Sequence, residues 1–474
     1  MAKPGIVLLK PLFLFLFFEL ISAGVPIIPC QIENKGDTLI STCPSLHDCI
    51  DGYCFHKELF PLTGREIFGS ILLMLLGGLT NAGGLGGGAL LSPILLLIFN
   101  YSPNKAIMIV YGIVFGGSVG NFLNVALQRN PKTGKSYVDY DLSLICMPQM
   151  VLGAMVGVLL NHIIAPILII VGLIAIIIYT GRNVYSKAKV QYAAESNQMS
   201  FKQLDTKENL TPLKKEYELS VMDASKGSFQ DKDYDPKLKK ILDEDNQLFP
   251  KAKILLIASM LLFVIFTFIL KGSKEFSSPL NIEYCGGIYW IFFLISLVGC
   301  AGFYFKNVEF VNQRLKIKKE CGYVPEEGEF ILTESITQKL GILSLVAGIL
   351  AGLLGLGGGM VMNPVLLELG VETQILAATL GFFVVQTSFV TLFQAFFSGD
   401  VTLTEIIFFV GISLVGSYGI SWVLNYFVKK YKRPSIILFA ISFVLLLSFI
   451  VMPLFGLYKS IDQPEQMFIF HSVC

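Results

Sequence analysis

Charge is scarce in this chain: Asp, Glu, Lys and Arg make up 15% of its 474 residues, against about 25% in an ordinary soluble domain. Between Glu66 and Asp139 there is no acidic residue, and the whole chain holds four histidines. The formal net charge is +1, so the basic surface that a nucleic-acid partner needs is missing. No Walker A sequence occurs, which excludes a pump driven through that phosphate loop. No nucleophile, acid–base pair or metal-ligand cluster falls within a long apolar run, so neither enzymatic chemistry nor a bound cofactor is expected. The few ionisable residues of the apolar segments (Lys105, Lys339, Glu368, Glu372) lie near segment ends, and His162 sits in a short turn. That placement argues against a carboxylate-based cation pump.

What is plentiful is apolar. Hydrophobic residues make up 54% of the chain, 38 of them Phe, and mean hydropathy is +0.67. Twelve apolar segments of near-spanning length run from 67–82 to 434–456; a bilayer crossing takes roughly 17 to 25 residues. Two segments, 88–100 and 359–370, are short, and each directly follows a glycine cluster. The expectation is an all-α polytopic membrane protein. Lys and Arg concentrate in loops 129–138, 183–251, 306–334 and 429–433. The positive-inside rule places these in the cytosol and the N-terminus in the lumen or outside.

The chain begins with Lys3 and Lys10, an apolar run from Leu12 to Phe18, and the small residues Ser22, Ala23 and Gly24. This is the pattern of a secretory signal peptide over 1–24, with an uncleaved anchor helix as the alternative. Residues 25–65 carry Cys30, Cys43, Cys49 and Cys54, interleaved with His47 and His56. In an oxidising lumen these cysteines are disulfide candidates together with Cys285 and Cys474. A zinc site is conceivable, but the paired short spacings of zinc modules are absent and no metal is expected. The remaining expected divisions are a first transmembrane repeat over 66–182 and a largely disordered cytosolic loop over 183–251. Two linking helices over 252–305 and a cytosolic loop over 306–334 lead to a second repeat over 335–458 and a lumenal tail over 459–474.

The two repeats rest on the glycines. Asn81 to Pro93 reads NAGGLGGGALLSP, and Gly352 to Pro364 reads GLLGLGGGMVMNP. An offset of 271 residues lays Gly84, Gly86, Gly87 and Gly88 on Gly355, Gly357, Gly358 and Gly359, and Pro93 on Pro364. Eight residues fewer in the following loop then bring Val138 onto Val401 and Gly153 onto Gly416. The second copy starts seven segments after the first, so the two run in opposite senses through the membrane. A continuous helix from Ile67 to Phe99 would be about 50 Å long, beyond a bilayer core. Each cluster is therefore expected to be the tip of a hairpin of short helices. Inverted repeats with broken helices are the plan of many secondary transporters.

Unpaired N–H groups where the second helix of each hairpin opens carry partial positive charge, and could hold an anion without a buried Lys or Arg. The candidate substrate-binding residues are Gly86, Gly87, Gly88, Gly357, Gly358 and Gly359, with Asn81, Asn121 and Gln386 as amide donors. Asn124, Gln149 and Gln394 are similarly placed; all these amides could instead bond between helices. Pro93 and Pro364 are given structural roles. Gly112, Gly116, Gly120, Gly153, Gly157, Gly348 and Gly352 suit close helix packing. Gly84, Gly86 and Ala89 fit a dinucleotide fingerprint, but the acidic residue it needs about 20 positions on is missing.

At these residues the chain resembles the TauE/SafE family of sulfite exporters. The resemblance rests on AGGLGGGALLSPIL and AGLLGLGGGMVMNPVL, supported by KAIMIVYGIVFGGSVGN and LAATLGFFVVQTSFVTLF. It implies an integral-membrane carrier of sulfur-containing anions such as sulfite, sulfoacetate or other organosulfonates. It also carries the family's glycine motifs onto Gly86 to Gly88 and Gly357 to Gly359. The signal peptide, cysteine-rich segment and long loop depart from the compact bacterial pattern and suggest a eukaryotic member on a plasma or secretory-pathway membrane. The expected function is a secondary transporter of a small sulfur-containing oxyanion, whether sulfite, sulfate or an organosulfonate. The alternative is a membrane scaffold or receptor that keeps the fold without transport. Expected partners are that small anion and the lipid bilayer.

Overall fold

A computed structural model describes residues 32–35, 38–41, 47–50, 53–82, 84, 86–126, 128–130, 134–207, 235–272, 278–323, 330, 332–355, 357–398, 401–431, 433 and 435–462. Two small antiparallel hairpins come first. Strand β1 (Ile32–Lys35) pairs with β2 (Thr38–Ser41), and β3 (His47–Ile50) with β4 (Tyr53–His56). The β3–β4 register sets Cys49 opposite Cys54.

Helices make up nearly all the rest. They are α1 (Gly64–Ala82), α2 (Gly88–Leu97), α3 (Pro103–Val125), α4 (Tyr140–Ile163), α5 (Pro166–Lys207), α6 (Pro236–Asp245) and α7 (Lys251–Lys271). There follow α8 (Gly287–Glu320), α9 (Glu334–Leu354), α10 (Gly359–Glu368), α11 (Thr373–Ser398), α12 (Leu403–Tyr431) and α13 (Ser435–Asp462). Each of the twelve expected apolar segments coincides with a helix. Eight helices among the described residues are long and apolar enough to cross a membrane: α3, α4, α5, α7, α8, α9, α11 and α12. Helices α2 and α10 have ten residues each. At 1.5 Å per residue each is about 15 Å long, half a hydrocarbon core.

Local sequence sets several helix starts. The side chains of Ser102, Asp139 and Thr333 accept from the backbone N–H three residues on, at the heads of α3, α4 and α9. These caps satisfy donors that a helix start leaves without intrahelical partners.

Glycines let the helices approach to backbone contact. A β-carbon at Gly153 or Gly157 of α4 would collide with the carbonyls of Leu345 or Ile349 of α9, and one at Gly348 or Gly352 with those of Met150 or Ala154. Helix α12 packs in the same way on α3, where Gly116 and Gly120 face the Val410 and Leu414 carbonyls. It also packs on α1, where Gly416 faces the Met74 carbonyl. Helices α3, α4 and α11 are mostly buried; α8 and α12 present apolar side chains outward.

The stretch expected as a largely disordered loop over 183–251 is helical over much of its length. Helix α5 continues to Lys207 and α6 fills 236–245; residues 208–234, with Asn209, fall outside the described set. The loop expected over 306–334 likewise begins inside α8, which ends at Glu320. Helix α6 buries Leu238 and Ile241 and closes an ionic hub. Asp245 contacts Lys253 of α7 and both Arg314 and Lys318 of α8 at 2.8 Å, while Lys253 also meets Asp141 of α4 at 2.7 Å. Burial works against the ionised Asp245 carboxylate, but Lys253, Lys318 and Arg314 outweigh it and hold its pKa well below the usual carboxylate range.

Cys285 is disulfide-bonded, whereas Cys146, Cys300 and Cys321 are free thiols. Cys30, Cys43 and Cys474 lie outside the described residues, as does the expected signal peptide.

Candidate functional site

The two glycine clusters meet. Gly84, Gly86 and Gly87 have φ of 70°, 81° and 76°, and Gly355 and Gly357 have 67° and 68°. This left-handed backbone admits glycine freely and other residues only with strain. Across the contact, a β-carbon at Gly359 would collide with the Gly84 carbonyl. One at Gly357 would lie 3.2 Å from the Gly86 Cα, and one at Gly84 would lie 2.8 Å from the Ala377 carbonyl of α11. Gly357 also faces Val114 of α3 and Val384 of α11, at 3.3 and 3.2 Å from its β-position. The tips thus touch each other between α3 and α11.

Helices α2 and α10 start at this contact, with Gly87 and Gly358 as N-caps, and neither start has a side-chain cap. Leu90 N–H donates to the Gly87 carbonyl at 3.0 Å and Met360 N–H to the Gly357 carbonyl at 3.3 Å, which leaves the N–H groups of Gly88 and Gly359 without an intrahelical acceptor. Two helix N-termini, each with the partial positive charge of its dipole, open within one buried region. The end of α9, which precedes the second tip, is held differently. The Tyr111 hydroxyl donates to the Gly352 carbonyl, and Asn161 Nδ2 donates to the Leu353 carbonyl at 2.8 Å. Side chains from α3 and α4 thereby take up the terminal carbonyls of α9.

Not every expected site residue faces the contact. Gly86, Gly357 and Gly359 do. Gly88 opens α2 and is buried. Gly87 packs against Thr80 of its own hairpin, and Gly358, at φ −57°, against the Met150 terminal methyl of α4. Asn81 is buried beside Gly117 of α3; its Nδ2 donates to the Gly77 carbonyl at 2.8 Å and its Oδ1 has no partner. Asn121 accepts from the Ser421 hydroxyl of α12 at 2.9 Å, and its Nδ2 lies 3.3 Å from the β-position of Gly381 on α11.

Gln386 is buried, and neither atom of its amide has a partner. It shares a helical face with Phe382 and Phe389, which pack on Phe122 and Phe115 of α3. Asn124 and Gln394 bond between helices, to the Tyr418 carbonyl at 2.8 Å and the Met155 carbonyl at 3.4 Å. Pro93 and Pro364 each take the sixth position of their short helix and remove one ladder donor there.

Two positions beside these prolines were not singled out in the sequence. Asn363, one turn into α10, is buried with its Oδ1 unpartnered. Ser92, its counterpart in α2, bonds the Gly88 carbonyl at 2.8 Å. The signal was present, because the 271-residue offset lays Ser92 on Asn363.

The family model described as "Sulfite exporter TauE/SafE" matches residues 340–470. Relatives in Arabidopsis thaliana extend the likeness across both halves. Sulfite exporter TauE/SafE family protein 2 is 26% identical over 463 residues, 93% of this chain and 95% of its own length. Family protein 5 is 28% identical over 403 residues, covering 83% and 84%. The chain is similar to the TauE/SafE family. This is a family of membrane transporters. The matched residues 340–470 begin within α9 and take in the second glycine tip, while the first tip enters through the full-length relatives. No solved structure matches.

Proposed function

We propose that this chain is a secondary transporter that moves a small sulfur-containing oxyanion (sulfite, sulfate or an organosulfonate) by alternating access. The observation that carries this reading is the meeting of two uncapped helix N-termini at touching glycine tips. Such ends bind oxyanions through backbone N–H groups and the helix dipole. The substrate class follows the name of the sulfite exporter family and of its Arabidopsis members. Gly86 to Gly88 and Gly357 to Gly359 are the backbone part of the site. Asn81, Asn121, Gln386 and Asn363 are its amides. Likeness to a transporter family also weighs against the scaffold reading.

The two halves act as inverted repeats whose short helices are half-crossings. Matched contacts support this. The Gly153–Leu345 approach and the Gly416–Met74 approach become one contact when offsets of 263 and 271 residues are applied. The acceptors of Gln394 and Asn124, the Met155 and Tyr418 carbonyls, are likewise related by 263 residues. In the membrane, the end bearing Arg129, Lys253 and Arg314 faces the cytosol and the N-terminus faces the lumen or exterior. Cys30, Cys43, Cys49, Cys54 and Cys474 pair in that oxidising space, together with Cys285.

The test is substrate-linked stabilisation of the purified full-length protein. Sulfite, sulfate or methanesulfonate should raise its melting temperature in a saturable way, because a ligand that binds only the native state stabilises it. Chloride at equal ionic strength should not. Identical shifts for all four anions would contradict a specific oxyanion site.

A further inference from the structure

A cavity of about 1170 Å³ opens at the end of the bundle that carries Asp245, between the starts of α4, α7 and α9 and the second half of α8. Its lining changes chemistry along α8, from an apolar wall to a polar one. The apolar wall has Phe305, Val308, Leu332 and Ile375; the polar one carries Asn312, Gln313, Lys316 and Lys319. The acids that border it are largely engaged. Asp245 and Asp141 sit in the ionic hub, the Asp139 carboxylate caps α4, and Glu309 accepts from Gln313. Among the described residues Lys319 has no acidic partner, and Lys316 meets only the exposed Glu320, at 3.9 Å. The Asn312 Oδ1 is buried and unpartnered.

Phe305 lines the cavity and is 70% exposed; Val298, two turns earlier on the same face of α8, is 71% exposed. The apolar wall is therefore continuous with the outer surface of α8, which a bilayer would cover. We infer that this cavity binds an anionic phospholipid, with the headgroup phosphates on Lys316 and Lys319 and an acyl chain along Phe305 and Val308. The Asn312 oxygen then accepts from a headgroup hydroxyl. Basic pockets between helices on the cytosolic side are suited to such headgroups. A small oxyanion is a poor fit, because the volume exceeds that of pockets for drug-sized ligands, about 300–1,000 Å³, and the apolar wall offers it nothing. The inference does not depend on transport.

The probe is phosphatidylinositol 4-phosphate, titrated into the full-length protein in phosphatidylcholine nanodiscs and counted by native mass spectrometry. Retention should exceed that of phosphatidylcholine. Lys316→Gln/Lys319→Gln should weaken it about thirtyfold, from about 1 kcal/mol per lysine at a headgroup surface. Val308→Trp, which fills the apolar wall without changing charge, should weaken it as well. Lys430→Gln, an exposed lysine at the end of α12, should leave it unchanged. Equal retention of the two lipids would overturn the proposal, and so would a lysine pair variant that binds normally. Equal competition by water-soluble inositol 1,4-bisphosphate would make the ligand a free phosphate. Displacement by sulfite would make the cavity part of a transport route. Either result rejects the lipid. The exposed lysine pair leaves the core intact, so a poorly folded Val308→Trp would still leave that arm decisive.

Discussion

At the scale of single residues, neighbouring glycines of one motif have different jobs. A β-carbon at Gly359 meets the Gly84 carbonyl, backbone against backbone, with no rotamer to relieve it. Gly359→Ala should therefore cost about 1–3 kcal/mol, the range for overpacking a close contact. Gly358 has ordinary helical φ, and its nearest neighbour is the end of the flexible Met150 side chain. Gly358→Ala should stay within about 0.5 kcal/mol of the native protein. Thermal melts of the two variants measure the difference, and equal losses would mean that the tips do not meet in this way. Gln386 separates function from stability more sharply. Its buried amide makes no bond, so Gln386→Leu should stabilise the fold by about 1–3 kcal/mol while removing a proposed substrate group. None of these distinctions was legible in the glycine pattern alone. The sequence marks Gly358 and Gly359 alike, whereas their separate roles come from neighbours hundreds of residues away.

At the scale of elements, α6 is held by its C-terminal end. Two apolar residues, Leu238 and Ile241, are a short stripe in a charged ten-residue helix; Asp245 meets three cations from α7 and α8, and Glu244 also pairs with Arg314, at 2.6 Å. Asp245→Asn should cost about 3–5 kcal/mol of docking, as for breaking a buried ion pair. Hydrogen exchange across 236–245 would read the loss. The depressed carboxylate pKa sets the sign of the pH effect. Stability from this group is complete above the unfolded value of about 3.9 and is lost as the pH falls below it. Exchange protection of α6 should thus be flat from pH 5 to 8 and collapse in acid. This element was hidden in the sequence because its hub partners, Lys253, Arg314 and Lys318, become neighbours only on folding. The span boundaries were easier, since Ser102, Asp139 and Thr333 are caps that local sequence displays.

At the scale of the whole molecule, the helical architecture was legible because apolar length and a 271-residue internal offset are both one-dimensional signals. Twelve segments were readable as helices, and among the described residues eight are long and apolar enough to cross a membrane; α2 and α10 are too short at ten residues each. The candidate site was legible only in part. The tips announced themselves through Gly86 and Gly357, while Asn363 needed the offset to be read one turn beyond the glycines. Orientation has its own check: Asn209 stands in an Asn-Leu-Thr sequon within the loop assigned to the cytosol, so the native protein from secretory-pathway membranes should carry no glycan there. The measurement that tests the central claim most directly is uptake of labelled sulfite, sulfate and methanesulfonate into proteoliposomes by the native protein and by Gln386→Leu. The expected result is saturable uptake of at least one anion that the folded, more stable variant loses by tenfold or more, about 1.4 kcal/mol at the site. Absence of uptake by folded native protein, or full uptake by Gln386→Leu, would contradict a carrier whose site lies between α3 and α11.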